Sequence, residues 1–230
     1  MEQKRERFLL RVMNKEILMD YDEKLIDKVK GFIDPCEGRQ LFETALKASK
    51  MGPCLEIGSY CGKSSVYIAS ACKKNSSILF SVDHHRGSEE QQPGEEYFDP
   101  ELYNHAIGEV DTINYFRKTI KLVQLEDTIV PVVAKSEIAA KMWTTKLSMV
   151  FIDGGHSYEA AYNDYNCWVS HIMPGGYLLV HDIFDDPEKG GQAPYQIYTL
   201  AKASGLFKEL PVVKTLGVLQ RLECGDIYNI

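Results

Sequence analysis

From Pro53 onward, the sequence alternates short apolar segments with longer segments of helical periodicity, and this alternation most constrains the fold. The apolar segments predict seven strands, at Cys54–Ile57, Ile78–Asp83, Ile129–Val133, Leu147–Asp153, Gly176–His181, Phe207–Val212 and Leu216–Arg221. The helical segments are 62–73, 109–124, 136–142, 158–170 and 194–203. Because strands that alternate with helices form βαβ units, we predict an α/β fold with a mostly parallel sheet between two layers of helices. The last two strands have no helix between them and must form an antiparallel hairpin.

The composition excludes several classes of protein. At 230 residues, with 44% hydrophobic and 26% charged residues, the chain resembles a globular protein rather than a disordered or fibrous one. Its net charge of −7 argues against nucleic acid or an anionic membrane as the main partner, because both require a basic surface. No segment approaches the ~20 apolar residues that are needed to span a bilayer.

The cysteines and the N-terminal segment predict a cytoplasmic location. The six cysteines include no C-x-x-C pair, and a chain of this length can form a core without disulfides, so we expect reduced thiols. The N-terminal segment has no apolar run longer than Phe8-Leu9-Leu10, which does not match a signal peptide.

Residues 1–50 predict a helical extension that precedes a single α/β domain over 51–230. Apolar residues fall at helical spacing from Leu9 to Ile17, from Leu25 to Ile33 and again within 37–50. These helices either cover one flank of the core or form a lid or the contact of a homodimer. The long irregular segment His84–Pro100 follows a predicted strand, and we interpret it as a flap over a ligand.

Polar residues follow each of the first five predicted strands. In open α/β sheets, ligands bind beyond the carboxyl ends of the strands, so these residues are the candidates for a site. They include four of the six histidines, and they lie at 56–65, 83–85, 136–137, 153–156 and 181–182.

The first strand runs into the loop Gly58-x-x-x-Gly62-Lys63-Ser64. This loop is one residue shorter than a phosphate-binding P-loop, so a nucleotide phosphotransferase is only an alternative. Glu56, directly before the loop, would repel a pyrophosphate, whereas Asp83 at the next strand end suits the hydroxyls of a ribose. A nucleoside that carries an ammonium group and no phosphate fits both acids, and S-adenosylmethionine is such a ligand.

The ordered motifs together resemble the class I S-adenosylmethionine-dependent methyltransferases, and most closely the bacterial branch called methyltransferase family 24. The motifs are Glu56-x-Gly58-x-x-x-Gly62, Asp83, Phe151-Ile-Asp153-Gly-Gly-His156-Ser-Tyr158 and Pro174-Gly175-Gly176-Tyr-Leu-Leu-Val-His181-Asp182. The resemblance covers roughly residues 50–222 and implies a Rossmann-like fold whose mostly parallel seven-stranded sheet ends in an antiparallel hairpin. Tyr60 departs from the pattern, because many class I enzymes have a third glycine there.

The resemblance also implies which residues bind the cofactor. Gly58 and Gly62 allow close approach of the backbone, and the amides from Ser59 through Tyr60 to Ser64 serve the carboxylate end of S-adenosylmethionine. The other expected contacts are Glu56 with the ammonium group, directly or through water, and Asp83 with the ribose, with His84 beside it. Ser136 and Glu137 are expected near the adenine, and Asp153 is expected to contact the cofactor. A helix N-cap is an equally good interpretation of Ser136.

Three interpretations are open for the residues after the fourth and fifth strands. Asp153, Asp182 and His181 resemble the magnesium sites of some small-molecule O-methyltransferases, although histidine is a poorer magnesium ligand than oxygen. Without a metal, His156 or His181 would act as the general base, together with Asp153. In the third interpretation the histidines are structural and Ser157 caps a helix. We therefore expect methyl transfer to a small-molecule acceptor, at a hydroxyl oxygen, with a non-catalytic nucleoside-binding protein as a further alternative.

Overall fold

A computed structural model describes residues 23–223 of the chain. The predicted helix with Leu9 to Ile17 lies outside the described residues, and so does Cys224. Seven strands form one sheet, and their bounds are β1 Cys54–Ile57, β2 Leu79–Asp83, β5 Ile129–Val133, β6 Leu147–Ile152, β7 Ile172–Val180, β8 Phe207–Val213 and β9 Leu216–Arg221. The strand order is β5-β2-β1-β6-β7-β9-β8, and only β9 pairs antiparallel with its neighbours. The predicted Rossmann-like sheet with a terminal hairpin is confirmed.

Helices cover both faces of this sheet. Their bounds are α1 Glu23–Ile26, α2 Pro35–Ala48, α3 Lys63–Lys74, α4 Ile113–Leu122, α5 Ser136–Ala140, α6 Tyr158–Trp168 and α7 Ala193–Ala203. The apolar sides of α2, α3 and α4 pack on one face of the sheet, and those of α5, α6 and α7 pack on the other. The central strands β1 and β6 are buried along their whole length, as expected for a sheet covered on both faces. None of the helices within 23–223 is long and apolar enough to cross a membrane.

The described part of the N-terminal extension belongs to the same core as the sheet. Leu41 and Phe42 of α2 are buried in one apolar cluster with residues of α3 and β1. The helix begins sharply because Asp34 caps it, Pro35 occupies its first turn, and the side chain of Glu37 reaches back to the Asp34 amide. The domain boundary at residue 50 stays a prediction.

Two predicted helices are shorter in the structure. The periodicity from Leu25 to Ile33 continues for only one helical turn, since α1 ends at Ile26 and the segment 27–34 buries Val29 and Ile33 without a regular helix. The helix predicted to start at residue 109 starts at Ile113, because the preceding residues form a small hairpin between β3 Tyr103–Asn104 and β4 Glu109–Val110. Within the predicted flap, short 3₁₀ turns occupy Glu89–Gln91 and Pro100–Leu102.

Candidate active site

One large cavity lies beyond the carboxyl ends of β1, β2, β5, β6 and β7. Its volume of about 830 Å³ falls within the range of small-molecule sites. Residues 30–33, before α2, and residues 87–91 of the flap also line it. The cavity therefore lies where the sequence predicts a site, and the flap forms part of its wall. That the flap covers a ligand stays a prediction.

The loop after β1 approaches β6 so closely that only glycine fits at its first position. Gly58 has a φ of 86°, and a Cβ there would lie 2.0 Å from the carbonyl oxygen of Asp153. Tyr60, also at positive φ (46°), and Ser59 line the cavity, as does Ser64 in the first turn of α3. Gly62 does not line it; it precedes α3 and packs against Phe116.

Glu56 lies behind this loop rather than in the cavity wall. Its fully buried carboxylate accepts hydrogen bonds from the hydroxyls of Ser64 (3.1 Å), Ser65 and Ser81. Burial raises the pKa of Glu56 to about 7, and the three hydroxyls act against that shift. The carboxylate therefore joins the first turn of α3 to β2, and its predicted contact with an ammonium group, directly or through water, stays a prediction.

Asp83 lies in the cavity at the end of β2, as expected. Its two oxygens accept hydrogen bonds from the backbone amides of Tyr60 (2.8 Å) and His85 (2.6 Å). Asp83 therefore holds the loop after β1 in position, and each oxygen keeps a second lone pair for a ligand. His84 lines the cavity with an exposed side chain.

Ser136 also lines the cavity, at the start of α5. The N-cap position belongs to Lys135, so the alternative interpretation of Ser136 as the N-cap is wrong by one residue. The Ser136 hydroxyl instead accepts a hydrogen bond from Nε1 of Trp168 at 2.8 Å. Glu137 beside it is exposed.

Asp164 is a site residue that the sequence interpretation missed. It lies on α6, is only 6% exposed and lines the cavity near Ser136. Burial raises its pKa to about 6, while a hydrogen bond with Ser136 acts against that shift. The sequence itself points to this residue, because Asp164 is an acid that lies next to Tyr165 on the side of the helix that carries apolar residues.

The acids and histidine after β6 and β7 converge as predicted. Nδ1 of His181 lies 3.0 Å from Oδ1 of Asp153 and 3.3 Å from Oδ2 of Asp182. One ligand atom from each of the three residues lies within 4.8 Å of the others, so the group has the dimensions of a metal site. Asp182 adopts a φ of 55°, which turns the chain immediately after the strand.

The other ring nitrogen of His181 contacts an acid that sequence reasoning missed. Nε2 lies 3.1 Å from Oε2 of Glu37 in α2, and Oε1 of Glu37 accepts hydrogen bonds from the backbone amide (2.9 Å) and hydroxyl (2.8 Å) of Thr215. Burial of His181 opposes its protonation, but the carboxylates of Asp153, Asp182 and Glu37 raise its pKa far above the ordinary value. Three carboxylates surround this buried imidazole and favour its protonated form, which argues against the predicted role of His181 as general base.

His156 is the more accessible of the two candidate bases. Its side chain is 29% exposed and lines the cavity. Nδ1 lies 3.0 Å from Oε2 of Glu90 in the flap, and Nε2 lies 3.4 Å from Oδ2 of Asp182. The predicted N-cap role of Ser157 is confirmed, since its hydroxyl accepts from the amide of Ala160.

The flap and the N-terminal segment meet over the cavity. The ring of Phe32 packs 5.8 Å from Tyr60 and 5.6 Å from Tyr97 of the flap. Lys30 forms ion pairs with Asp99 and Glu101 at the end of the flap. Both segments thereby form part of the cavity wall.

A profile for a family described as a methyltransferase domain matches residues 55–183, more than half of the chain. Among solved structures, the O-methyltransferase TomG from Streptomyces achromogenes, involved in tomaymycin synthesis and in complex with SAM, superposes with a TM-score of 0.61 at 14% identity, over 97% of this chain and 100% of that chain. An O-methyltransferase from Bacillus cereus in complex with SAH superposes with a TM-score of 0.58 at 14% identity, over 94% of this chain and 90% of that chain. The SAH-bound Podospora anserina methyltransferase PaMTH1 superposes with a TM-score of 0.59 at 14% identity, over 84% of this chain and 80% of that chain.

These structural likenesses concern the fold, because the identities are low. The profile match, by contrast, contains every strand end that surrounds the cavity, from β1 to β7. The chain therefore belongs to methyltransferase family 24 and is a class I methyltransferase.

Proposed function

We propose that this methyltransferase transfers a methyl group from S-adenosylmethionine to a hydroxyl oxygen of a small-molecule acceptor. The observation that carries the proposal is that one cavity brings the expected cofactor residues Ser59, Asp83 and Ser136 together with Asp153 and His156. S-adenosylmethionine supplies a methyl group activated on a sulfonium centre. The residues of the chain must orient the acceptor and help to remove its proton.

The cofactor side combines hydrogen-bond acceptors with free donors. The hydroxyl of Ser59 is buried and has no partner among residues 23–223, so it suits the carboxylate end of the cofactor. Asp83 keeps acceptor capacity for ribose hydroxyls beyond its two amide bonds. S-adenosylmethionine-bound or S-adenosylhomocysteine-bound neighbours of the same fold support this assignment. Neither the cavity nor the comparisons favour the phosphotransferase alternative.

His156 is the general base of this proposal. Donation of its Nδ1–H to Glu90 selects the tautomer whose Nε2 accepts a proton. The imidazolium that forms then lies 3.4 Å from the carboxylate of Asp182, which stabilises the charge. Because Glu90 belongs to the flap, the flap orients the base.

The cluster of Asp153, His181 and Asp182 fits a divalent cation as well. Glu37 would keep the Nε2–H of His181, while Nδ1 would exchange its proton for the metal. A donor set with one nitrogen suits Mn²⁺ better than the predicted Mg²⁺. Bound there, a cation would lower the pKa of an acceptor hydroxyl.

Titration calorimetry tests the cofactor assignment. S-adenosylhomocysteine should bind saturably with one site per chain, and ATP should bind weakly by comparison. ATP binding without S-adenosylhomocysteine binding would overturn the proposal. Transfer of labelled methyl from S-adenosylmethionine to a panel of small hydroxyl compounds separates an enzyme from a non-catalytic nucleoside-binding protein.

We further propose that the protein acts in the cytoplasm on a small molecule, with neither nucleic acid nor membrane as partner. The acidic net charge of −7 supports this, because it disfavours binding to polyanionic surfaces. The predicted homodimer contact stays a prediction, and size-exclusion chromatography with light scattering measures it directly.

A further inference from the structure

The segment 30–33 is held in place by its neighbours, and one of its side chains is an exposed aromatic ring in the cavity wall. Lys30 forms ion pairs with two acids at the end of the flap, and Ile33 is buried in the core. Between them, the carbonyl oxygen of Gly31 accepts a hydrogen bond from Nζ of Lys63 at 3.4 Å. Phe32 lines the cavity and is 62% exposed. Its ring is therefore presented to the cavity by a backbone that is fixed on both sides.

Tyr97 of the flap forms an aromatic pair with Phe32 in this wall. The ring centroids lie 5.6 Å apart and the ring planes make an angle of 77°, which is an edge-to-face arrangement. Tyr97 also lines the cavity and is 45% exposed. Two large rings that stay exposed side by side form an apolar surface, and inside a cavity such a surface marks contact with a ligand.

The aromatic pair is connected to the candidate base through one residue of the flap. The backbone amide of Tyr97 donates a hydrogen bond to the carbonyl oxygen of Glu90 at 3.0 Å. Oε2 of the same Glu90 lies 3.0 Å from Nδ1 of His156. The pKa of Tyr97 is raised first by Glu96 and by burial, and further by Asp182. Because Asp182 also lies 3.4 Å from Nε2 of His156, the aromatic pair and the base face the same part of the cavity.

We propose that the acceptor is a phenol whose ring packs on Phe32 and Tyr97 while its hydroxyl group reaches Nε2 of His156. This inference rests on the proposed function and specifies its acceptor. Aromatic rings favour edge-to-face and offset contacts with one another, and the exposed side of the aromatic pair offers both. Since the family profile matches residues 55–183, Phe32 contributes to acceptor recognition from outside the matched region.

A phenol also suits the proposed base. The pKa of a phenol is about 10, a few units above the value of about 6.5 for histidine, whereas the pKa of an aliphatic hydroxyl is close to the value of about 16 for water. Proton transfer to an imidazole is therefore far less unfavourable from a phenol. The phenol proton passes to Nε2 of His156, the phenol oxygen forms a bond to the methyl carbon, and the carbon–sulfur bond breaks with its electron pair left on sulfur. The products are a methyl ether and S-adenosylhomocysteine.

Fluorine NMR on the protein saturated with S-adenosylhomocysteine tests the contact with two probes, 4-fluorophenol and 4-fluorocyclohexanol. Both carry a hydroxyl group and a fluorine atom, and only the first has an aromatic ring. The wild type should bind 4-fluorophenol with a Kd of about 1 mM, as expected for a fragment of this size, and at least about fivefold more tightly than 4-fluorocyclohexanol. With S-adenosylmethionine in place of S-adenosylhomocysteine, 4-fluorophenol should be converted to 4-fluoroanisole, which gives a separate resonance.

Phe32→Leu removes the flat ring and keeps an apolar side chain. It should weaken binding of 4-fluorophenol by about threefold to tenfold and leave the weak binding of 4-fluorocyclohexanol unchanged. Tyr97→Leu repeats the test on the second ring of the pair. Calorimetry with S-adenosylhomocysteine and circular dichroism verify that each variant is folded and saturated.

Tyr162→Leu is the matched control. Tyr162 is 42% exposed and its ring lies 5.7 Å from that of Tyr158, so it also belongs to an exposed aromatic pair. It does not line the cavity. This variant should bind 4-fluorophenol as the wild type does.

The outcomes distinguish this inference from the proposed function. If the wild type does not bind S-adenosylhomocysteine, the proposed function fails. If it binds S-adenosylhomocysteine but shows no preference for 4-fluorophenol, or binds 4-fluorophenol without methylating it, the inference about the acceptor fails while the proposed cofactor stands. Equal weakening in Phe32→Leu and Tyr162→Leu, or none in Phe32→Leu, also overturns it. Weakening in Phe32→Leu and Tyr97→Leu alone, together with formation of 4-fluoroanisole by the wild type, supports it.

Discussion

Glu37 and His181 are 144 positions apart in the sequence, yet Oε2 of Glu37 lies 3.1 Å from Nε2 of His181. The contact joins the first turn of α2 to the end of β7, and both side chains are almost fully buried. Since the family match begins at residue 55, an acid from outside the matched region determines how a strand-end histidine is oriented. The same carboxylate holds Thr215 in the terminal hairpin, so it links three parts of the fold.

We expect Glu37→Gln to destabilise the protein by about 3 kcal/mol, because it removes one counter-charge from a buried imidazolium. The contacts of His181 with Asp153 and Asp182 remain, so the loss of stability should fall at the lower end of the range for broken buried ion pairs. Urea denaturation at pH 7.5 measures it. Glu43→Gln on the same helix is the control, and equal stability of the two variants would contradict the ion pair.

Most of the fold could be predicted from the sequence, because the strands are short apolar segments with a clear period. Six of the seven strands begin and end within one residue of the predicted bounds, and the exception is β7, which starts at Ile172 rather than Gly176. The small hairpin at 103–110 escaped prediction because two-residue strands have no measurable period.

The candidate site could be predicted only in part. Residues at strand ends were found because the topology of an α/β sheet brings those ends together. Glu37 was not found, because no local sequence pattern indicates a contact between residues that are 144 positions apart. Glu56 was found, but the sequence does not show that Ser64, Ser65 and Ser81 surround its carboxylate.

Replacement of Asp83 by alanine should reduce both cofactor affinity and stability. The carboxylate accepts from two backbone amides, and each donor left without a partner costs about 1–3 kcal/mol. We expect S-adenosylhomocysteine to bind at least about tenfold more weakly and the melting temperature to fall by several degrees. Asp185→Ala, an exposed acid, is the control. Weaker binding with an unchanged melting temperature would mean that the two hydrogen bonds from backbone amides contribute little to stability.

His156→Gln should lower kcat by about 10²–10⁴ if His156 is the general base. Binding of S-adenosylhomocysteine should stay within about twofold, because the base acts on the acceptor. His105→Gln changes an exposed histidine in the small hairpin and should keep full activity. Full activity of a folded His156→Gln enzyme would assign proton removal to another group.

Divalent cations separate the metal interpretation from the metal-free one. We expect Mn²⁺ to bind more tightly than Mg²⁺ in calorimetry, because the donor set contains an imidazole. Asp182→Asn should weaken Mn²⁺ binding by at least about tenfold, and Asp186→Asn, outside the cluster, should not. If neither cation binds the wild type, the His181 imidazolium is the cation that pairs with the two carboxylates, and chelators should leave turnover unchanged.

The stability of the protein should depend on the ionisation of Glu56. Its folded-state pKa is raised from 4.5 to about 7, so the unfolded chain loses the proton at lower pH than the folded chain. The resulting penalty is absent below pH 4.5, grows between 4.5 and 7 and is complete above 7. A Glu56→Gln variant does not ionise, so its free energy of unfolding should rise relative to the wild type between pH 5 and 8, by at most about 3 kcal/mol. Urea denaturation across this range measures the difference, and the exposed Glu126→Gln serves as the control. A Glu56→Gln difference that stays constant with pH would show that the carboxylate is ionised throughout and stabilised by its three hydroxyl donors.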